Sequence, residues 1–190
     1  MTTRHVRGAN GLTRTLPAAA CHRAGLLIAS LFLLAASPPA RAEAPPLPPP
    51  AGPVLLTVSG NIAHVNKGES AQLDRAMLKQ LPAHVLHTST SVTEGTHVFK
   101  GVLMRDLLER LGATGSVVIA TALNDYTSEI PVSDFHTYDV MAAMTMDGQL
   151  LTPRDKGPLW IVYPRDDHPE LQDIRYDYRW VWQLKHLEVR

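Results

Sequence analysis

Three blocks in the second half of the chain combine the side-chain types that a ligand site uses. The blocks are 123–127 (LNDYT), 154–160 (RDKGPLW) and 179–185 (RWVWQLK), and each adjoins a predicted strand. Cations, amides and large aromatic faces at strand ends suit a cleft for a planar or anionic ligand. The candidate binding residues are Asn124, Asp125, Tyr126, Arg154, Lys156, Gly157, Arg179 and Trp180.

A structural role is the alternative for the same residues. The tryptophans would then pack in the core, and the arginines between 154 and 179 would pair with the aspartates around them. Surface ion pairs of that kind are common and contribute little to stability. Taken together, the three blocks favour a site.

The sequence offers no catalytic motif and only a weak metal-ligand pattern. Seven histidines follow residue 42, and three of them, His84, His87 and His97, share one polar stretch. No H-x-x-x-H, H-E-x-x-H, G-x-S-x-G or P-loop pattern accompanies them. We therefore predict no metal ligand and assign no catalytic residue.

Residues 1–42 have the pattern of a secretory signal peptide. They contain five arginines, no acidic residue, a 13-residue apolar run over 24–36 and the small-x-small sequence Ala40-Arg41-Ala42. The run is too short to span a bilayer, which takes about 20 residues. Cleavage after residue 42 predicts a secreted, periplasmic protein with no membrane span. Because Cys21 would be lost, the mature protein would be free of cysteine.

The remaining chain divides into a linker and one domain. Residues 43–53 contain six of the fifteen prolines, which predicts a stiff tether. Residues 54–190 show no further boundary and form the predicted domain. After residue 42 the chain carries 13 basic and 18 acidic side chains. This balance argues against a nucleic-acid partner, since binding to phosphates needs a clustered basic surface.

Periodicity and turn residues predict an α+β domain. The clearest helix covers 103–111, with leucines on one stripe and Gly112 as its stop, and a shorter helix is predicted over 74–81. Strands are predicted over 54–58, 117–122, 126–132, 140–146, 149–151, 159–163 and 180–189. Asp147-Gly148 indicates a hairpin, and the last strand is expected to contain a bulge. Because strands and helices do not alternate strictly, we expect a mixed sheet with a few short helices.

Five motifs follow one another along this domain. They are Phe99-x-Gly101-Val102-Leu103-x-x-Asp106-Leu107-Leu108, Asn124-Asp125-Tyr126, Met146-Asp147-Gly148-x-Leu150, Lys156-Gly157-Pro158-Leu159 leading to Tyr163-Pro164, and Arg179-Trp180-Val181. In order and spacing they resemble the oxidoreductase molybdopterin-binding domain, the fold of sulfite oxidase and of bacterial periplasmic sulfoxide reductases. The resemblance covers about 54–189 and is greatest to small, stand-alone periplasmic members. It implies a mixed-sheet fold of the sulfite oxidase type and makes molybdopterin the cofactor to test for.

Two departures from the family pattern bear on activity. Catalytic members have a cysteine that ligates molybdenum, whereas the corresponding residues 87–97 (HTSTSVTEGTH) carry hydroxyls and no sulfur. The family's six-residue His-Gly-x-Pro-x-Arg segment reads Lys156-Gly157-Pro158-Leu159-Trp160 here, one residue shorter before the proline, with Lys at the His position and Trp at the Arg position. An arginine that would bind an anion is therefore absent there.

The absent cysteine favours a non-catalytic sensory or accessory module. It would bind an anionic small molecule or a pterin, or a periplasmic or membrane protein that acts as a sensor or redox partner. The alternative is a molybdopterin-dependent oxidoreductase of the sulfite oxidase or sulfoxide reductase type, in which Ser89, Ser91, Glu94 or a water replaces the cysteine. An open cleft would favour a ligand, and a cleft filled by Trp160 or Phe99 would favour a partner protein.

Overall fold

Two five-stranded sheets and four short helices make up the part of the chain that the computed structural model describes, residues 46–190. The strands are β1 Val54–Gly60, β2 Ala71–Asp74, β3 Ala83–Ser89, β4 Thr96–Leu103, β5 Val117–Ala122, β6 Thr127–Pro131, β7 Met141–Met146, β8 Gln149–Leu150, β9 Trp160–Val162 and β10 Leu184–Val189. The helices are α1 Arg75–Leu78, α2 Met104–Arg110, α3 Val132–Thr137 and α4 Ile174–Asp177, with a 3₁₀ turn at Pro169–Gln172. The predicted signal peptide, 1–42, lies outside the described residues. None of the described helices has the length and apolar character that a membrane crossing requires.

The first sheet has the strand order β2-β1-β10-β5-β6 and contains both strand directions. β1 and β10 pair in parallel, with Thr57 opposite His186, while the other pairs are antiparallel. The register between β10 and β5 shifts between Leu184 and His186, and Gln183 has φ 51°. The mixed sheet confirms the predicted α+β class, and the shift is the bulge expected in the last strand.

The second sheet joins β3, β4 and β7, and β7 also pairs with β8 and β9. The predicted hairpin is present, because Asp147 (φ 50°) and Gly148 (φ 77°) both take the positive φ that a tight turn of this kind requires. Phe99 of β4 and Trp160 of β9 are fully buried, and their rings meet edge to face at 5.4 Å. These two rings therefore belong to the core.

The sequence pattern does not predict β3 and β4 as strands. The buried face of β3 carries Leu86 and Thr88, whereas Val85, on the opposite face, is 48% exposed. In this edge strand the buried residues are therefore not simply the hydrophobic ones. The strand predicted over 126–132 is wrong at its end, because helix α3 begins at Val132. The strand predicted from residue 180 begins only at Leu184.

β4 and β7 approach each other closely at Gly101. A Cβ built on this glycine would lie 2.1 Å from the carbonyl oxygen of Ala142 and 2.7 Å from Cα of Ala143. The β4–β7 register also shifts between Lys100 and Gly101. Glycine is therefore required in this part of the Phe-x-Gly motif, because only hydrogen fits between the two backbones.

Residues 46–53, within the predicted linker, lie against the domain. Leu47 is partly buried against the core. The side chain of Asn66 donates a hydrogen bond from Nδ2 to the carbonyl oxygen of Pro48 at 2.7 Å. This part of the segment is thus in contact with the folded unit.

Asp74 joins this segment to the first helix. Its Oδ2 accepts hydrogen bonds from the backbone N–H groups of Ala51 and Gly52, each at 2.8 Å, and its Oδ1 accepts from the N–H of Met77 at 2.9 Å. The last bond caps the N-terminus of α1. These backbone donors, with Met77 first and Gly52 next, lower the pKa of the Asp74 carboxyl.

A chain that begins at Val54 is expected to melt about 2 to 4 °C below one that begins at Glu43, since it loses the Asp74 bonds and the Leu47 contact. The folded-state pKa of Asp74 is lowered, so its stabilising effect is complete above the ordinary pKa and is lost as the pH falls through the lowered value. The difference in Tm should therefore shrink in acid. Equal melting temperatures at neutral pH would show that the segment is only a spacer.

Candidate functional site

An open cavity of about 370 Å³ lies where three connecting segments meet. Its wall comes from the β3–β4 loop, the β5–β6 turn and the segment that leads from α4 towards β10. The lining residues are Ser91, Val92, Asn124, Tyr126, Asp177, Tyr178, Trp180 and Trp182. Four of these side chains are aromatic, and we call this space the aromatic cavity.

The β3–β4 loop is held by its own hydroxyl groups. Thr90, which is 6% exposed, accepts hydrogen bonds on Oγ1 from the backbone N–H groups of Val92 and Thr93, at 3.1 and 3.0 Å. Its hydroxyl also lies 2.7 Å from that of Thr93. The turn that results presents Ser91 and Val92 to the cavity.

Ser89, at the end of β3, is occupied by another contact. Its hydroxyl and its backbone N–H both donate to the carboxylate of Asp166. The hydroxyl bond is the main reason why the pKa of Asp166 lies below its usual value. Of the three side chains considered as replacements for the cysteine, only Ser91 lines the cavity, while Ser89 and Glu94 do not.

The β5–β6 turn brings Asn124 and Tyr126 to the cavity and turns Asp125 to another partner. Asp125 has φ 64°, and its carboxylate accepts a hydrogen bond from Nζ of Lys185 at 2.6 Å. The Tyr126 hydroxyl donates to the carbonyl oxygen of Tyr178 at 2.8 Å. Burial, and then the neighbouring Tyr178 hydroxyl, raise the pKa of Tyr126. Tyr126 is therefore neutral at physiological pH and joins two walls of the cavity.

The third wall, 177–182, carries two polar atoms without partners. Among residues 46–190, Oδ1 of Asp177 and Nε1 of Trp180 are buried and make no hydrogen bond. The Trp180 ring stacks on that of Tyr163, with centroids 6.1 Å apart, and Trp182 remains 37% exposed. Asp177 as a whole is half-buried, and it is the one charged residue in the lining of the cavity.

Arg179 lies beside this wall but is bound to a buried carboxylate. Its Nη1 donates to Oδ2 of Asp134, which also accepts from the Tyr163 hydroxyl at 2.9 Å. Burial lowers the pKa of Arg179, but hydrogen bonds to Tyr178 and Asp134 outweigh this effect and raise it overall. Burial, and then the charge of Asp134, raise the pKa of Tyr163. Arg179 is therefore a fully charged member of a structural network.

The remaining predicted residues lie outside the lining of the aromatic cavity. Lys156 pairs with Asp155 at 2.9 Å, and its Nζ lies 5.7 Å from the ring centroid of Trp160. Gly157 packs against the backbone of Leu151, and Arg154 is exposed. The structure thus places Asn124, Tyr126 and Trp180 in the lining of the cavity and leaves five predicted residues outside that lining: Asp125, Arg154, Lys156, Gly157 and Arg179.

Sequence reasoning missed Asp177 and Tyr178 and did not single out Trp182. The signal that could have identified them is the aromatic density of 176–182 (YDYRWVW), which includes a carboxylate. The two core rings, Phe99 and Trp160, do not fill the cavity. Residues 46–190 contain no group of three or more His, Cys, Asp or Glu side chains arranged to hold a metal ion.

Comparison with known proteins identifies the family of the chain and shows that its fold is known. A family model described as the oxidoreductase molybdopterin binding domain matches residues 62–166. The crystal structure of the sulfane dehydrogenase SoxCD from Paracoccus pantotrophus is similar with a TM-score of 0.53 and 16% sequence identity, over 72% of this chain and 38% of that chain. At this identity the likeness concerns the fold alone, and the chain spans well under half of the SoxCD chain. No curated protein matches the sequence.

Proposed function

The chain belongs to the oxidoreductase molybdopterin-binding domain family, and from this premise we propose that it is a non-catalytic member that binds a small ligand in the aromatic cavity. The observation that carries the proposal is the lining of the cavity, which offers four aromatic side chains and one carboxylate but neither a thiolate nor a cation. Such a site can bind and orient a molecule. It provides no redox centre of its own.

The lining does not fit the cofactor of the catalytic family members. A molybdenum pterin carries a phosphate and a dithiolene, so its site needs basic groups and, in the catalytic members, a thiolate ligand. The one charged side chain in the lining is Asp177, a carboxylate, which repels a phosphate. The one cysteine of the sequence is Cys21, within the predicted signal peptide. No redox step is therefore assigned to the cavity.

The N-terminal sequence supports the periplasm as the proposed location of the protein. Residues 1–42 have the charge asymmetry, apolar run and cleavage pattern of an export signal. A secreted module that binds a ligand without transforming it fits the input side of a sensory or accessory system, with a periplasmic or membrane protein as its partner. These assignments are part of the proposal.

The alternative function is a molybdenum oxidoreductase in which another ligand replaces the cysteine. Ser91 is the hydroxyl that faces the cavity from the segment where the family has its cysteine. Ser89 is held by Asp166, and Glu94 lies outside the lining. Of the substitutes for the cysteine, Ser91 and a water are therefore the two that suit the cavity.

We expect the protein, purified from a host that makes molybdopterin, to contain far less than one molybdenum and one pterin per chain. The measurement is metal analysis together with fluorescence of the released pterin. A cysteine-containing member of the family, prepared in the same host, serves as the positive control. Stoichiometric molybdenum and pterin in the native chain would overturn the proposal in favour of the alternative, and their loss in Ser91→Ala would identify Ser91 as the metal ligand.

A further inference from the structure

We propose that the aromatic cavity binds a small organic cation of the methylated-ammonium class. The inference rests on the proposed function, because it names the kind of ligand that the same cavity holds. It departs from the anionic ligand that the sequence suggests, and the reason is the set of side chains that the fold brings to the cavity.

Four aromatic rings supply the first part of the argument. Tyr126, Tyr178, Trp180 and Trp182 line one cavity of about 370 Å³. The face of an aromatic ring carries negative electrostatic potential and attracts a cation, and tryptophan attracts it most strongly, so a lining rich in these rings favours a cationic ligand. The cavity is near the lower limit of the range for ligand sites, which suits a small molecule.

The carboxylate of Asp177 supplies the second part. Its Oδ1 is buried and has no hydrogen-bond partner within residues 46–190. Asp173, four residues earlier, is in contrast paired with Arg175 through two bonds of 2.9 and 3.0 Å. Asp177 is also the one charged side chain of the lining, and a cationic ligand in the cavity would balance the negative charge of its carboxylate.

The nearby cations do not compensate Asp177. Arg179 lies 5.6 Å from the ring centroid of Tyr178, but its guanidinium is bound to Asp134. Lys156 is paired with Asp155. Since each cation already has its own carboxylate, the charge left over at the cavity is negative. The rings and the electrostatics therefore favour the same class of ligand.

Polar groups on the wall limit what else the ligand can carry. Asn124 and Ser91 line the cavity with an amide and a hydroxyl, which suit a hydroxyl or ether oxygen on the ligand. The hydroxyl of Tyr126 is already bonded to Tyr178 and holds the wall in place. A quaternary ammonium with a short polar arm meets these requirements.

Choline and its uncharged isostere 3,3-dimethylbutan-1-ol provide the test, because they share one shape and differ by the charge. Binding to the full chain is measured by isothermal titration calorimetry and by quenching of the emission of its three tryptophans. We expect choline to bind about tenfold or more tightly than the isostere, the scale of a cation held by aromatic faces.

Two pairs of variants test whether Asp177 and Trp182 contribute to choline binding. Asp177→Asn is expected to weaken choline binding about tenfold and to leave the isostere unchanged, since it removes the charge and keeps the shape. Asp167→Asn, at an exposed aspartate outside the lining, is the matched control and should change neither. Trp182→Leu should weaken choline binding more than Trp182→Phe, which keeps a ring.

Equal affinity for choline and the isostere would overturn the inference, and so would an Asp177→Asn variant that binds choline as the native chain does. Binding of the isostere would still support the proposed function in either case. Failure of both molecules to bind would also overturn the inference. The molybdenum and pterin content is measured separately, so failure of the proposed function is distinguishable from failure of the ligand class.

Discussion

Replacement of Arg179 by leucine is expected to lower the free energy of unfolding by about 3 to 5 kcal/mol, because it leaves a buried carboxylate without its cation. Asp134 is 7% exposed and bonds to Arg179 and to the hydroxyl of Tyr163. The Tyr163 hydroxyl alone cannot balance the negative charge of the Asp134 carboxylate. The measurement is urea denaturation of the native and variant chains at neutral pH.

A double-mutant cycle separates the pair from its surroundings. Asp134→Leu should also destabilise the folded protein, since Arg179 then loses its carboxylate partner. The free energy of unfolding should fall in the double variant Asp134→Leu/Arg179→Leu by clearly less than the sum of the two single decreases, because both charges are removed together. Additive losses would show that the two side chains do not interact. Since the Arg179 variant is expected to be unstable, poor ligand binding in it would not identify Arg179 as a binding residue.

Gly101→Ala is expected to lower the free energy of unfolding by about 3 kcal/mol or more, which is the upper end of the range for inserting extra atoms into a packed core. The new Cβ would lie 2.1 Å from the carbonyl oxygen of Ala142, which belongs to the backbone of β7. A rotamer change cannot relieve a contact between two backbones. The strands must therefore move apart, in the region where β4 and β7 are paired.

Gly52→Ala is the matched control for this substitution. The nearest atom to a Cβ on Gly52 is Oδ2 of Asp74 at 3.6 Å, an ordinary contact distance. Gly52→Ala should change the free energy of unfolding by no more than about 0.5 kcal/mol, as most surface substitutions do. The measurement is urea denaturation of both variants beside the native chain, and similar stabilities would contradict the close approach of β4 and β7.

The elements that could be predicted are those in which sequence pattern and burial agree. Helix α2 has Leu107 and Leu108 on its buried face, and the Asp147-Gly148 turn needs two positive φ angles that these residues tolerate. β3 is not predicted as a strand because its polar Thr88 is buried and its apolar Val85 is exposed, the reverse of the usual pattern. A strand at the edge of a sheet is specified by its neighbour more than by its own residues.

The candidate site could be predicted only in part, for a similar reason. Asn124, Tyr126 and Trp180 lie in motifs that signal a site, and they do meet at the cavity. Whether Arg179 faces the cavity depends on Asp134, 45 residues away, which local pattern cannot reveal. Asp177 looks like an ordinary surface acid in the sequence, and only the fold shows that one of its oxygens is buried without a partner.

The position of β10 has a consequence for the order in which the chain can fold. This strand, residues 184–189, lies in the middle of the first sheet and separates β1 from β5. During synthesis β1 emerges about 130 residues before the strand that it pairs with, and such non-local pairing is slow to form. The second sheet, β3 to β9, has its partners nearer in sequence and can form earlier. Until β10 arrives, the facing edges of β1 and β5 stay unpaired and are open to association with other chains.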